Sequence, residues 1–322
     1  MPAYNVGKFI SKAIDSIISQ SFTQWELIIV DDCSTDNTVS VIKEYANKDK
    51  RIKLHQLLKN TGSAYIPRLK AIELSLGDWV LNLDADDYLE DTCLQSMHHR
   101  AIETQADHVI PQLIRVSEDK GIPTGWECPA HNFDFKMTLT GKEACMLTIG
   151  EWEIGGAGVL IRRENYFTAF KKYSNKNSNI NADELLTRKL LLTATKVAFC
   201  NSKYYYRQNS NSITIKFSNK QFDILDTNLE LRSLIHEYFA NDFSHKKKME
   251  RQLWGGLQHC LLVFIENRKK MTPIDRKNAS NKIKYTWNNI NWHLLDFNKI
   301  KTILLSSNFY LFYLLYWIKN AK

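Results

Sequence analysis

The 322-residue chain lacks any paired-cysteine motif: its six cysteines, at positions 33, 93, 128, 145, 200 and 260, are widely spaced and form no CxxC. That argues against a structural zinc site and a disulfide framework, and the expectation is reduced thiols in a cytoplasmic protein. The start, Met1-Pro2-Ala3-Tyr4, has no basic residue leading into an apolar run, so no signal peptide is expected. There is no zinc finger or RNP-like motif, and the aromatics are dispersed, so no nucleic-acid partner is expected. Internal repeats and low-complexity tracts are absent as well. Charge of one sign is in modest excess, +8 overall, and mainly in the C-terminal third. There Lys246, Lys247, Lys248 and Arg251 are followed by Arg268, Lys269 and Lys270. Such runs are usually solvated helix faces, with anionic lipid or another polyanion as the sharper alternative.

What is present is alternation. Apolar residues at Phe9, Ile10, Ala13, Ile14, Ile17 and Ile18 keep helical spacing. Residues 27–30 form a short β-branched run, 35–46 look helical, 52–57 strand-like, 66–76 helical and 79–83 strand-like. This predicts an α/β fold, a mostly parallel sheet flanked by crossover helices. Further on, the pattern gives a helix over 92–102, a strand at 108–113 and an irregular stretch over 117–139. A helix near 141–149, a strand at 159–162 and an amphipathic helix over 183–194 follow, then two strands at 197–200 and 204–207. From about residue 219 everything reads as helix, which divides the chain into 1–218 and a helical C-terminal region, 219–322.

The most specific stretch is Leu81-Asn82-Leu83-Asp84-Ala85-Asp86-Asp87-Tyr88-Leu89-Glu90, an apolar strand that stops at three carboxylates in four positions. Asp is a poor strand residue and costly to bury unpaired. A divalent cation would neutralise such a cluster, and hard oxygen ligands suit Mg²⁺ or Mn²⁺. The carboxyl ends of strands in an open α/β sheet are also where ligands bind. The bland alternative is an acidic turn capping the following helix. An EF-hand would need Gly where Leu89 stands. A phosphohydrolase using Asp84 as nucleophile would usually carry Thr or Val in place of Tyr88.

Four separated pieces lie in one order: Pro2-Ala3-Tyr4-Asn5, Val30-Asp31-Asp32-Cys33-Ser34, Asn60-Thr61-Gly62 leading to Arg68, and Asp84-Ala85-Asp86-Asp87. Together they resemble family 2 glycosyltransferases, inverting enzymes with the A-type nucleotide-sugar fold, over roughly residues 1–215. The resemblance implies that Pro2, Ala3 and Tyr4 meet the nucleotide base and that Asp32 accepts hydrogen bonds from uracil or ribose. It places Asn60, Arg68 and Ala85 in the donor site. It makes Asp84 and Asp86 the DxD pair, with Asp86 the direct Mn²⁺ or Mg²⁺ ligand and Asp84 nearer the ribose or a metal-bound water. It further implies a UDP-sugar donor, a nucleotide-sugar half over about 1–110 and an acceptor half over about 111–218. The acceptor would be a glycan or lipid-linked saccharide, in bacterial surface polysaccharide synthesis.

A second match, Asn181-Ala182-Asp183-Glu184-Leu185-Leu186, resembles the acidic pair this family places beside the acceptor. Inverting transfer needs a general base; the resemblance assigns it to Asp183, with Glu184 as the alternative. A helix N-cap with an acidic first turn explains the same residues structurally. The Tyr204-Tyr205-Tyr206-Arg207 and Asn211-Ser212-Ile213-Thr214 segments also resemble the family's, the tyrosines reading as structural and Arg207 as a phosphate contact. In the acceptor loop, Trp126, Trp152 and Gly155-Gly156-Ala157-Gly158 could stack on a sugar or simply pack and turn. One departure stands out: members carry apolar residues before Pro-Ala-Tyr-Asn, so the expectation here is a nearly absent first strand. That keeps a non-catalytic glycan or nucleotide-sugar binding protein in view, with a metal-dependent phosphohydrolase behind it. Finally, residues 303–318 are strongly apolar and aromatic between lysines. At about 1.5 Å per residue they are short for a ~30 Å hydrocarbon core. They predict peripheral membrane contact, against a terminal helix docked on the protein's own core.

Overall fold

The structure is a computed structural model that describes residues 1–118, 120–150, 152–172, 182–208, 217–295, 297, 305–310 and 312–314. Asn181, the Asn211-Ser212-Ile213-Thr214 segment, and 303, 304, 311 and 315–318 of the apolar C-terminal stretch lie outside the described residues. The chain forms two compact units, Met1–Ser178 with Leu186–Ser210, and Asn179–Leu185 with Asn211–Lys322.

The first unit opens with β1 (Pro2–Ala3), α1 (Ile10–Ile18), β2 (Leu27–Asp31), α2 (Thr38–Lys48) and β3 (Ile52–Gln56). Then come α3 (Tyr65–Leu74), β4 (Trp79–Leu81), β5 (Tyr88–Leu89), α4 (Cys93–Thr104), β6 (His108–Val116), β7 (Pro123–Cys128) and β8 (Thr138–Leu139). The series continues with α5 (Gly141–Met146), β9 (Leu160–Arg162), α6 (Arg163–Lys172), α7 (Ala182–Thr193) and β10 (Val197–Arg207). The helical spacing of α1 has its physical counterpart in burial: Ile10, Ala13, Ile14 and Ile17 face the core, beside Ile29 of β2 and Met97 of α4. α5 begins where Thr140 and Glu143 cap each other reciprocally.

Strands β1, β2 and β3 make one parallel sheet in that order, with Pro2 opposite Val30 and Leu27 opposite Ile52. A second, seven-stranded sheet runs β4-β9-β6-β10-β5, with β7 beside β6 and β8 beside β10. Only β6 and β10 are parallel there; the β4–β9, β6–β9, β6–β7, β10–β5 and β10–β8 pairs are antiparallel. The parallel order that the sequence predicts holds throughout the first sheet, where helices alternate with strands, and between β6 and β10, and the other described pairs of the second sheet are antiparallel. Beyond β5 the connections include hairpins, as between β6 and β7, which make neighbours antiparallel. The two strands expected at 197–200 and 204–207 are a single β10, irregular between Phe199 and Lys203.

The second unit is helical: a 3-10 turn (Asn219–Asp223), α8 (Ile224–Tyr238), α9 (Phe243–Asn267), α10 (Pro273–Asn288) and a last 3-10 turn (Trp292–Leu294), joined by the first turn of α7. Asp242 caps α9 by accepting the His245 N–H, and Thr272 caps α10 ahead of Pro273. Its core gathers Phe222, Leu253, Leu257, Ile283 and Trp287 with Phe309 and Phe312. Trp287 Nε1 donates to the Leu305 carbonyl (3.0 Å), and Arg268 Nη1 to the Tyr313 hydroxyl (3.2 Å). The described part of the 303–318 stretch therefore spends Phe309 and Phe312 on this unit's own core, while Tyr310 and Leu314 stay exposed. Among the described residues no helix is long and apolar enough to cross a membrane.

Candidate functional site

The carboxyl ends of β1, β2 and β4 carry the predicted donor-site residues. Pro2 and Ala3 are held against Val30 and Asp31, and the Asp32 N–H continues the ladder by donating to the Ala3 carbonyl (2.8 Å). Tyr4 then emerges 45% exposed, and Asn5 turns the chain at φ +51°. The Asn5 Oδ1 accepts the Thr35 N–H (2.8 Å), while the Ser34 hydroxyl accepts the Asn5 N–H (3.0 Å) and donates to buried Asp31. The first two predicted pieces, 2–5 and 30–34, are thereby locked into one turn.

Asp32 is buried, and its carboxylate receives the Thr61 N–H (2.9 and 3.1 Å) and the Thr61 hydroxyl (3.0 Å). The Asn60 side-chain amide donates to the Asp32 carbonyl (3.0 Å). The third piece is thus fastened to the second. Arg68, on the first turn of α3, is buried and donates from Nη2 to Asp84 Oδ1 (2.9 Å), which fastens it to the fourth. All four predicted pieces meet in the first unit.

The carboxylate cluster itself is a tight turn, closed by the Asp87 N–H donating to the Asp84 carbonyl (3.1 Å). Burial alternates through it: Leu83, Ala85 and Asp87 are buried, Asp84 and Asp86 only half-buried. Asp87 is the member that the DxD spacing skips. Its oxygens accept the Tyr204 hydroxyl (2.7 Å) and the Arg207 N–H (2.8 Å). The Tyr204 oxygen in turn accepts the Asp84 N–H (3.3 Å), so one buried tyrosine holds both ends of the turn. Burial, then the neighbouring Asp86 and Asp84 charges, hold the Asp87 carboxyl well above the usual carboxylate range, against the pull of those two hydrogen bonds. Burial first, with Asp87 and Asp84 adding to it, likewise raises the Tyr204 hydroxyl.

Two glycines of the 155–158 run stand where a side chain would clash, and Gly158 does so against this anchor. A Cβ on Gly158, at φ +65°, would sit 2.2 Å from the Tyr204 ring, and one on Gly155 would meet Leu113 at 2.3 Å. Trp152 carries the buried Arg188 guanidinium 4.6 Å from its ring centre, and exposed Trp126 carries that of Arg115 at 4.3 Å. Arg207 lies 5.1 Å from the Phe9 ring centre and 5.5 Å from that of Tyr88.

Asp183 and Glu184 open α7 and belong to the second unit. Asp183 is exposed and accepts the Glu184 N–H (3.0 Å), as an acidic first turn does. The Gln252 amide of α9 approaches Glu184 Oε2 at 3.5 Å and Asn228 Oδ1 at 3.4 Å.

Among the described residues no three His, Cys, Asp or Glu side chains converge to hold a metal by themselves. The chain offers half-buried Asp84 and Asp86 from one turn. Such a donor set fits Mg²⁺ or Mn²⁺ held by one or two carboxylates with substrate phosphates and water, and does not fit an all-protein cage.

Residues 1–166 match the family model for glycosyl transferase family 2. The chain is 26% identical over 231 residues to the glycosyltransferase GlyG of Streptococcus pneumoniae, covering 66% of this chain and 71% of that one. It is 28% identical over 282 residues to the poly(ribitol-phosphate) β-N-acetylglucosaminyltransferase TarS of Staphylococcus aureus, covering 78% of this chain but only 46% of TarS. The structure of TarS residues 1–349 in complex with UDP-GlcNAc superposes with a TM-score of 0.59 over 91% of this chain and 81% of that one, at 21% identity. The Pyrobaculum calidifontis mannosyltransferase PcManGT, in complex with GDP-Man and Mn²⁺, gives 0.51 over 99% and 85%, at 13% identity. At these identities the two structures establish a shared fold.

Proposed function

The chain belongs to glycosyl transferase family 2, and on that premise we propose that it transfers a sugar, with inversion, from a UDP-sugar to a glycan or lipid-linked saccharide of a bacterial surface polysaccharide. The observation that carries this reading is the meeting of Ala3, Asp32, Asn60, Arg68 and Asp84 at the strand ends, tied by Asp32–Thr61 and Arg68–Asp84. Relatives support the donor class and the polymer: TarS acts on poly(ribitol-phosphate) and its structure contains UDP-GlcNAc.

In this reading the uridine lies against Pro2, Ala3, Tyr4 and Asp32. Asp86, with Asp84 beside it, would hold a Mn²⁺ or Mg²⁺ ion, whose charge would offset that of the diphosphate. Arg68 fixes Asp84, and Tyr204 with Asp87 fixes the turn that carries both ligands. Asp183 takes the proton of the acceptor hydroxyl as its oxygen bonds the anomeric carbon. The bond from that carbon to the phosphate oxygen breaks, and the electron pair leaves on UDP. Within the 303–318 stretch, Tyr310 and Leu314 are described side chains exposed for contact with a bilayer surface where a lipid-linked acceptor would reside.

The test is UDP release from UDP-sugars with and without candidate acceptors, in Mn²⁺ and in chelator. Acceptor-dependent, chelator-sensitive release supports the transferase. Phosphate release without acceptor would indicate a phosphohydrolase, and donor binding without turnover a binding protein.

A further inference from the structure

The carboxyl ends of β6 and β10 carry an arginine that the donor site does not use. The two strands run parallel, with Leu113 opposite Tyr204 and Arg115 opposite Tyr206. Side chains alternate along a strand, so Arg115 and Tyr206 continue the face that Leu113 and Tyr204 begin. Leu113 and Tyr204 are the side chains that Gly155 and Gly158 approach closely. Arg115 and Tyr206 are therefore the next pair outward on the side of the glycine run. The other face of β10 is turned to the nucleotide half: Tyr205 stacks on Tyr88 at 4.7 Å, and Arg207 lies near Tyr88 and Phe9.

Arg115 is arranged to receive an anion. Its guanidinium lies over the Trp126 ring, and its Nε is buried without a hydrogen-bond partner among the described residues. A buried donor without a partner is uncommon and calls for a reason. Two carboxylates of the β6–β7 hairpin are engaged elsewhere: Glu118 pairs with Lys8 (3.1 Å), and Glu127 accepts from Gln112 (3.0 Å). A guanidinium laid on a ring keeps its in-plane N–H edge available, which suits bidentate binding of a phosphate or carboxylate.

The group also opens to solvent beside the carboxylate turn. Trp126 is 37% exposed and Tyr206 40%. Burial first, and then the charges of Asp87, Asp86 and Asp84, raise the Tyr206 hydroxyl above its ordinary value, and Arg115 pulls it the other way. One exposed tyrosine thus feels both the turn and the arginine.

We propose that Arg115, laid on Trp126 and flanked by Tyr206, binds an anionic group of the acceptor, a phosphate or carboxylate close to the hydroxyl that receives the sugar. The acceptor class is then an anionic glycan or polyol polymer. Arg115 belongs to the acceptor side because β10 turns Arg207, on its opposite face, to the nucleotide half. The acceptor role rests on the transfer reading; the anion site does not, and is measured without turnover.

The experiment is calorimetry with three probes: a polyol-phosphate oligomer, an oligogalacturonate, and a neutral oligosaccharide of matching length. Each is titrated into the unaltered protein, Arg115→Gln and Arg115→Lys, with UDP in Mn²⁺ titrated in parallel and Tm recorded. The unaltered protein should bind one of the anionic probes about tenfold or more tightly than the neutral one, and Arg115→Gln should lose about that factor, as for hydrogen bonds to a charged group. Arg115→Lys, which keeps the charge but not the flat fork, should retain part of the affinity. UDP affinity and Tm should stay nearly constant. The tighter of the two anionic probes identifies phosphate or carboxylate. Equal binding of neutral and anionic probes, or no binding of either anionic probe, would overturn the proposal. So would a loss of UDP affinity in Arg115→Gln as large as the loss for the oligomer, since Arg115 would then serve the donor. Arg115-dependent binding of an anionic probe without any UDP binding would uphold the anion site and remove the transfer reading.

Discussion

The strands β1, β2 and β4 end in unlike surroundings. At their carboxyl ends, carboxylates are caught in pairs, Asp31 locally with Ser34, and Asp32 with Thr61, Asp84 with Arg68 and Asp87 with Tyr204 from farther along the chain. Beside residues 26–28 at the start of β2 and the length of β4 lies a mostly apolar cavity of about 370 Å³. At the first end the buried carboxylates of Asp31, Asp32 and Asp87 each have hydrogen-bond donors, and leaving one without would cost about 1–3 kcal/mol. The cavity's apolar walls make fewer packing contacts. The difference teaches that polar fastening between separated segments can assemble a site from two sheets beside a region that is only loosely packed.

The largest expected effect concerns the proposed general base. Asp183→Asn should lower kcat by about 10²–10⁴-fold while leaving UDP-sugar affinity nearly unchanged, because a general base acts on the acceptor. Steady-state kinetics with donor titration reads both; a defect mainly in donor binding would remove Asp183 from the role and turn attention to Glu184.

Next in size is the anchor of the carboxylate turn. Tyr204→Phe removes the hydroxyl that donates to Asp87 and accepts from Asp84. The expected cost is about 1–3 kcal/mol of stability by denaturant titration, for a buried acceptor left short of a donor. A loss of donor affinity should accompany it, since the turn carries Asp84 and Asp86. Unchanged stability would mean that the turn holds without this bond.

The four pieces of the donor site were legible in the sequence because each is a short polar motif at the end of an apolar run. Their fastening was not. Asp87 looks like a third ligand beside Asp84 and Asp86, and only a tyrosine 117 positions away shows that it is a buried anchor. The glycines at 155 and 158 announce a close approach but not to what, since Leu113 and Tyr204 come from β6 and β10. In the fold, α1 was legible from its apolar spacing, whereas β7 was hidden because Pro123-Thr124-Gly125 reads as a turn. The polar Asn201-Ser202-Lys203 interruption divided one strand, β10, into two.

A residue at neither end provides a control. Asp107, before β6, accepts the Thr195 N–H (2.8 Å) and the Lys196 N–H (3.2 Å) and lies beside His108 (3.4 Å). Burial works to raise its carboxyl, but His108 and these amides bring it down to about 2. A depressed folded-state pKa gives stability that is present above the ordinary carboxylate pKa and lost as pH falls from about 4 toward 2. After discounting for its partial exposure, about 1 kcal/mol is expected. Asp107→Asn should flatten the acid limb of a Tm-against-pH curve in that window; an unchanged limb would contradict the assignment.

The smallest effect concerns the C-terminal unit, whose Phe309 and Phe312 are committed to its own core. Replacing exposed Tyr310 and Leu314 with serine should weaken sedimentation with anionic liposomes a few-fold while leaving Tm nearly constant, in a salt-sensitive way. Negligible sedimentation of both proteins would leave the docked segment as purely structural.

The central claim is that the carboxyl end of these strands binds a UDP-sugar through a metal held by Asp86. Its most direct measurement is equilibrium binding of UDP by calorimetry, with Mn²⁺ and with chelator, to the unaltered protein and to Asp86→Ala. The account predicts Mn²⁺-dependent binding to the unaltered protein and loss of that dependence in Asp86→Ala, with Tm preserved. UDP binding of equal strength in all four combinations, or none in any, would contradict it.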